Sequence, residues 1–214
     1  GDWRPGWYRG LAALVGGDAA AARARFEQVC DVLPGEAAPK LAVAVAAELS
    51  GDRAAAEAFY RVVWRTDHAY VSAAFGLARV LLAAGDRDSA VAVLHSVPET
   101  SSHHVAAQVA AVRAQAGGEL TDVVAAGARL SALELDVARR VGLTAELLRT
   151  ALESLPRNGS APPGDRLLDC EFSEQGLRLG LERCYRQLAR LADTPEQRIA
   201  LVDRANAVRP RTLV

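Results

Sequence analysis

The stretch Gly51–Val63 reads GDRAAAEAFYRVV, and two further stretches of the chain repeat its pattern at a fixed distance. Gly17–Val29 (GDAAAARARFEQV) precedes it and Gly85–Val97 (GDRDSAVAVLHSV) follows it, and their first glycines give a period of 34. All three start with Gly-Asp, carry alanine at the sixth position and a large apolar residue at the tenth, and end on valine. Because self-similarity at a fixed period decides the architecture, the sequence indicates an array of repeated structural units.

Each shared residue has a mechanical reason for its place. Glycine adopts the left-handed backbone that ends a helix, and the aspartate after it caps the next helix. The small alanine lets a neighbouring helix approach, and the large residue fills the space beside it. A helix–turn–helix unit of this period is a tetratricopeptide repeat (TPR). The sequence therefore predicts an all-α TPR right-handed solenoid of antiparallel helix pairs, followed by irregular C-terminal helices.

The helical spacing of apolar residues places three regular repeats within residues 1–98. The six expected helices are 3–15, 19–32, 37–49, 53–66, 70–83 and 87–97. Gly10 holds the small position of the first helix, which Ala44 and Ala78 hold in the next two repeats. Pro98 ends the third repeat early because proline cannot continue a helix.

The repeat phase is lost after Pro98, and residues 99–134 predict an irregular fourth helix pair. Its first helix begins after the Thr-Ser-Ser at 100–102, and Thr121 is expected to cap its second. Residues 135–214 predict a long helix at 136–155, a surface loop at 156–164 and a final pair capped by Ser173 and Thr194. No strand is expected, and the whole chain, 1–214, is predicted to form a single TPR-type domain.

Composition disfavours several classes of partner. The net charge of −1 argues against a general attraction to nucleic acid, and no apolar run approaches the roughly 18 residues of a membrane-spanning helix. Three cysteines, Cys30, Cys170 and Cys184, form no CxxC pair, which favours a reducing, cytoplasmic setting. The chain lacks methionine and begins at Gly1, so we expect it to be part of a longer protein.

No residue pattern suggests catalysis. The sequence has no phosphate-binding loop and no nucleophile or acid–base constellation, so we expect no enzyme and no cofactor; a helical hydrolase or transferase is the disfavoured hypothesis. His68, His95 and the adjacent His103 and His104 lack the spacing of a metal site. Cys170, near the loop, is the cysteine expected to be exposed, whereas the other two are expected to be small buried hydrophobes.

The first helices of the repeats carry the candidate partner-binding residues, because the concave side of a solenoid is its usual binding surface. By repeat phase they are Arg4, Trp7, Leu11, Leu41, Val45, Phe75 and Arg79. Most are apolar, which favours contact with a protein surface or helix over capture of a peptide carboxylate. The alternative is that Trp7 and Tyr8 simply close the end of the repeat core.

The C-terminal stretch 178–214 carries eight arginines against four acidic residues. The arginines are Arg178, Arg183, Arg186, Arg190, Arg198, Arg204, Arg209 and Arg211. No aromatic residues alternate with them as in single-stranded nucleic acid sites. A solvated helix face is the favoured interpretation, and a partner surface stays open.

Six longer strings are much more specific than the repeat columns. They are DWRPGWYRGLAAL at 2–14, LPGEAAPKLA at 33–42, YRVVWRTD at 60–67, YVSAAFGLAR at 70–79, GLRLGLER at 176–183 and IALVDRANAVRP at 199–210. Together they resemble the C-terminal TPR domain of the actinobacterial protein kinase G family. The resemblance covers nearly all of the chain.

The resemblance implies a place beside a Ser/Thr kinase domain, on which the TPR part packs, and roles in self-association and substrate recruitment. The HRD, DFG and glycine-rich motifs of a kinase are absent from this chain, so it is not expected to bind ATP or transfer phosphate. A free-standing TPR adaptor without a kinase is the alternative. In the kinase hypothesis Trp3 and Trp7 dock on the missing domain, which requires that the chain itself does not bury both rings.

Overall fold

The computed structural model describes residues 2–155 and 164–210 and confirms the all-α fold class. The chain forms two compact units, residues 1–107 and 108–214. In the described residues no helix is both long enough and apolar enough to span a membrane.

The first unit contains the three regular repeats at the predicted positions. Its six paired helices are α1 (Arg4–Val15), α2 (Ala19–Val32), α3 (Ala37–Leu49), α4 (Arg53–Thr66), α5 (Val71–Ala83) and α6 (Arg87–His95). Each end lies within two residues of the expected one, and each helix packs on the next along the chain. The periodic pattern therefore predicted both the number of these helices and their positions.

The turns inside the repeats have the predicted backbone. Gly17, Gly51 and Gly85 adopt φ values of 81°, 84° and 85°, in the left-handed region that side-chain-bearing residues rarely enter. The aspartate after each glycine caps the next helix, with Asp18, Asp52 and Asp86 as the three capping residues. Their carboxylates accept hydrogen bonds from backbone N–H groups at 2.9, 3.1 and 3.1 Å.

Asp52 has a second partner besides the helix that it caps. Its Oδ1 accepts from the backbone N–H of Ala55, and its Oδ2 accepts from Nη1 of Arg23 at 2.7 Å. Arg23 lies on α2, in the preceding repeat, and also donates from Nε to Glu27 at 2.8 Å. The Ala55 N–H, followed by the Arg23 guanidinium, lowers the pKa of Asp52.

Two aromatic rings from the second helices of the repeats form the centre of the first unit. Phe26 and Tyr60 are 0% and 1% exposed, which confirms that the tenth-position residues fill the core. A Cβ atom on Gly10 would lie 2.5 Å from Cε1 of Phe26, and a Cβ atom on Gly76 would lie 2.5 Å from Cε1 of Tyr60. Each ring is therefore packed directly against the backbone of a neighbouring helix.

The second unit is also helical but does not follow the repeat period of the first. α7 (His104–Ala116) begins in the first unit and continues into the second, where α8 (Leu120–Ala132), α9 (Val137–Ser154), α10 (Glu174–Leu191) and α11 (Pro195–Val208) follow. Ser173 and Thr194 cap the last two helices as predicted, accepting N–H bonds of 3.1 and 3.2 Å.

Thr121 does not cap α8, and that prediction was wrong. Glu119 is the N-cap, and it exchanges hydrogen bonds with Asp122 in a reciprocal capping box. The helix begins two residues earlier than expected because this acidic pair satisfies the N–H groups of its first turn.

A small hairpin lies before α10, so the expectation of no strand was wrong. Strands β1 (Arg166–Leu167) and β2 (Cys170–Glu171) pair antiparallel, with Leu168 in the turn at a φ of 53°. Two-residue strands are too short to show the alternation by which strands are recognised. The loop expected at 156–164 lies outside the described residues except for its last, exposed glycine, Gly164.

The hairpin changes the position of one cysteine. Cys170 lies on β2 and is 6% exposed, so the expectation that it would be the accessible thiol was wrong. Its Sγ occupies the space that a Cβ atom on Gly180 of α10 would need. Cys184 is buried as expected, whereas Cys30 is only half-buried.

Candidate interaction surface

The predicted partner-binding residues all lie in the first unit, on the first helix of each pair. Trp7, Leu41 and Phe75 occupy one repeat position on α1, α3 and α5, each one repeat period after the last. Leu11, Val45 and Arg79 occupy a second position one helical turn further along, at the same spacing, and Arg4 lies one turn before the first set. The seven side chains therefore lie at equivalent positions on the first helices of successive repeats.

This surface keeps apolar area accessible. Leu11 is 36% exposed, and the side chains of Leu41, Val45 and Phe75 are each only half-buried. Trp7 is also half-buried, because one side of its indole packs on Phe26 with 5.3 Å between the ring centroids. The unit thus leaves room for further apolar contact along these helices.

Other residues at and along α1 add more exposed apolar area. Tyr8 is 67% exposed and Val15 is 91% exposed, while Trp3 is half-buried with the guanidinium of Arg4 5.7 Å from its ring centroid. The inward packing of Trp7 on Phe26 agrees in part with the view that the aromatic residues close the core. Neither tryptophan is fully buried, so their role in docking stays a prediction.

Arg79, at the other end of the set, is held by an acidic neighbour. Its Nε and Nη2 donate to the two carboxylate oxygens of Glu48, both at 2.8 Å, and the Tyr60 hydroxyl donates to the same carboxylate at 2.6 Å. The Arg79 hydrogen bonds are the main cause of the lowered pKa of Glu48. Burial, followed by the bond to Glu48, raises the pKa of Tyr60. A partner that uses Arg79 must compete with this carboxylate.

This network could not be predicted from the residue pattern. Tyr60 is predicted as a core residue, and it fills that role with its ring while its hydroxyl reaches Glu48. Glu48 and Arg79 are separated by 31 residues, which matches neither the repeat period nor helical spacing. Only the packing of α3 beside α5 brings the two side chains together.

The network predicts a pH dependence of stability. A carboxylate whose pKa is lowered by folding stabilises the fold above its unfolded pKa, about 4.3 for glutamate, and that contribution disappears as the pH falls through the folded value. Urea melts between about pH 6 and about pH 3 should show the parent losing about 1 kcal/mol more stability than Glu48→Gln.

The matched control is Glu99→Gln, since Glu99 is exposed and has no ion pair within residues 2–155 and 164–210. That variant should follow the parent at every pH. Parallel pH curves for the parent and Glu48→Gln would contradict the assigned role of the ion pair.

Two of the histidines that the sequence drew attention to have local partners. His104 Nδ1 lies 2.9 Å from the carbonyl oxygen of Val97, and the His68 ring lies 4.3 Å from the ring of Trp64. Burial raises the pKa of the Cys184 thiol to about 11. Across the described part of the chain, no three His, Cys, Asp or Glu side chains are placed to hold a metal ion.

Comparisons with a family model and with individual proteins point to the same family. The model of the protein kinase G tetratricopeptide repeat family matches residues 1–212. The serine/threonine-protein kinase PknG of Mycolicibacterium smegmatis is 41% identical over 213 residues, which are 97% of this chain and 28% of the kinase. The PknG of Mycobacterium leprae is 41% identical over 215 residues, 98% of this chain and 28% of that kinase. The chain thus spans little more than a quarter of these relatives.

A solved structure supports the fold alone. The crystal structure of a TPR repeats protein from Bacteroides fragilis aligns with a TM-score of 0.51 at 10% sequence identity. The alignment covers 97% of this chain and 85% of that one.

Proposed function

This chain belongs to the protein kinase G tetratricopeptide repeat family, and from that membership we propose that it is a non-catalytic interaction domain of a serine/threonine protein kinase. The observation that carries the proposal is the accessible apolar surface of the first unit, from Tyr8 and Leu11 on α1 to Phe75 on α5. Interface cores are enriched in aromatic residues and depleted in charge, as this surface is.

In the proposed arrangement, the N-terminal part of α1, with Trp3, Trp7 and Tyr8, docks on the kinase domain of the same protein. The apolar face that continues over α3 and α5 recruits substrate proteins or a second copy of the chain. Phosphate transfer belongs to the kinase domain, and this chain contributes position and partner choice. We place the protein in the cytoplasm, which its three free cysteines support.

The docking proposal is tested most cleanly at Tyr8, because its ring is mostly exposed and its removal leaves the core intact. Tyr8→Ala should weaken binding to the separately produced kinase part of the parent protein by about tenfold, since truncating an interface aromatic commonly costs more than about 1 kcal/mol. Isothermal titration calorimetry measures the change.

Ile199→Ala is the control, since Ile199 on α11 is 62% exposed but belongs to the second unit. Its affinity for the kinase part should equal that of the parent. The docking proposal is wrong if the two variants bind equally well. Sedimentation of the chain alone, with and without Tyr8→Ala, reports whether the same end of α1 holds a second copy.

A further inference from the structure

A cleft of about 510 Å³ lies within the second unit, between α8, α9, the hairpin and α10. Its size is that of sites that hold a small molecule or a short peptide segment. Leu130, Val141, Leu148 and Leu168 give it apolar walls. The charged residues of its lining are Arg140, Arg183 and Asp169.

Arg183 lines this cleft without an acidic partner in the described residues. Its Nη2 donates to Sγ of Cys170 at 3.3 Å, and no carboxylate in the described ranges pairs with it. The sequence explains why, because Leu179 occupies the position one turn earlier on α10. The neighbouring Arg178 and Arg186 each have a glutamate at that position, at 2.8 and 2.9 Å.

Arg140 faces the same cleft from α9. Its guanidinium donates to the carbonyl oxygens of Leu130 and Leu133 at the end of α8, so neutral groups hold it in place. Two guanidinium groups therefore flank an apolar cavity, and Asp169 in the hairpin turn is the single acid of the lining.

The positive surface continues along α10. A second cleft of about 460 Å³ shares Arg183 and Gln187 with the first and is lined further by Arg186 and Arg190. Arg190 also has no ion pair with any residue that the structure describes. The net charge of the whole chain is −1, so the excess of positive charge along this part of α10 is local.

We propose that this arginine groove binds an acidic peptide segment of a partner protein, with carboxylates at the guanidinium groups and apolar side chains in the cleft. Guanidinium groups match carboxylates geometrically and form strong charge-assisted hydrogen bonds. The inference deepens the proposed function, since it assigns the interaction domain a second surface with its own class of ligand. The two surfaces lie in different units, so each can fail without the other.

The test uses a fluorescein-labelled peptide of alternating glutamate and leucine, with a glutamine–leucine peptide as the neutral probe. Fluorescence anisotropy should show binding of the acidic peptide alone, weakened by added salt because partly exposed charges are screened. Arg183→Gln and Arg190→Gln should each weaken binding by about fivefold to tenfold. Asp169→Asn should strengthen it severalfold, because it removes the opposing charge from the cleft.

Arg198→Gln is the matched control, since Arg198 on α11 is exposed, lines neither cleft, and changes the net charge by the same amount. It should leave peptide binding unchanged. Equal losses in Arg183→Gln and Arg198→Gln would mean that overall charge alone controls binding, and would overturn the proposal.

Full displacement of the peptide by inorganic phosphate at equal concentration would also overturn it, because the groove would then select a small anion. Tyr8→Ala should not alter peptide binding, which separates this result from the fate of the kinase-docking proposal.

Discussion

Phe26→Ala is expected to lower the free energy of unfolding of the first unit by about 3 to 5 kcal/mol. The ring is 0% exposed and fills the space between α1 and α2, where Gly10 leaves room for it. Trp7, Val43 and Ala46 belong to the same apolar cluster, so truncation leaves a cavity that several helices must collapse to fill. Tyr60 is the other aromatic residue at the tenth position, but its truncation would also remove the hydrogen bond to Glu48. Phe26→Ala therefore measures the packing of a ring alone.

Urea denaturation followed by tryptophan fluorescence measures this change selectively. Trp3, Trp7 and Trp64 are the only tryptophans of the chain, and all three lie in the first unit. Val32→Ala is the control, because Val32 lies on the same helix but is 46% exposed. It should stay within about 0.5 kcal/mol of the parent, as is usual for surface sites. A similarly small effect for Phe26→Ala would mean that the repeat phase is misassigned.

The opposite kind of core change, Gly76→Ala, should also be costly despite adding a single methyl group. The new Cβ atom would overlap the ring of Tyr60, which cannot withdraw because it is 1% exposed and its hydroxyl is bonded to Glu48. Overpacking costs about 1 to 3 kcal/mol and alanine regains about 1 kcal/mol in a helix interior, so at this tight contact we expect a net loss of about 1 to 2 kcal/mol.

Gly142→Ala, on α9, is the same substitution without the clash. A Cβ atom there would meet nothing within 4 Å, so the variant should gain about 0.5 to 1 kcal/mol from helix propensity alone. Circular dichroism during urea unfolding measures both variants. Stabilisation by both would show that the close approach of α5 to Tyr60 is not a tight contact.

Two glycines of the first unit show how far the sequence could predict the fold. Gly10 stands out as a close-packing site because its repeat column also contains Ala44 and Ala78. Gly76 shares its column with Tyr8 and Ala42, which vary too much in size to show that a ring lies against it. The period thus located helices, turns and caps, whereas contacts that belong to one repeat alone were visible only in the packed structure.

The candidate surface, too, was predictable from the sequence only in part. Repeat phase placed Trp7, Leu41 and Phe75 at equivalent positions, but it could not show that Arg79 is tied to Glu48. In the second unit the sequence showed that arginines are abundant. Which of them are left without an ion pair depended on whether a glutamate lies one turn earlier on the helix. The cleft beside Arg183 needs the hairpin, and two-residue strands leave no trace in hydrophobic periodicity.

The two-sided contact of Asp52 bears on the cooperativity of the array. One oxygen fixes the first turn of α4 and the other holds Arg23 of the preceding repeat, so the start of one repeat is partly defined by its neighbour. In repeat proteins, stability is the sum of internal terms and nearest-neighbour coupling. The third repeat lacks an equivalent of Arg23, because Glu57 stands at the corresponding position of the second repeat. Coupling mediated by this side chain is therefore confined to the first pair of repeats, and α4 cannot unravel from its N-terminus without releasing its hold on α2.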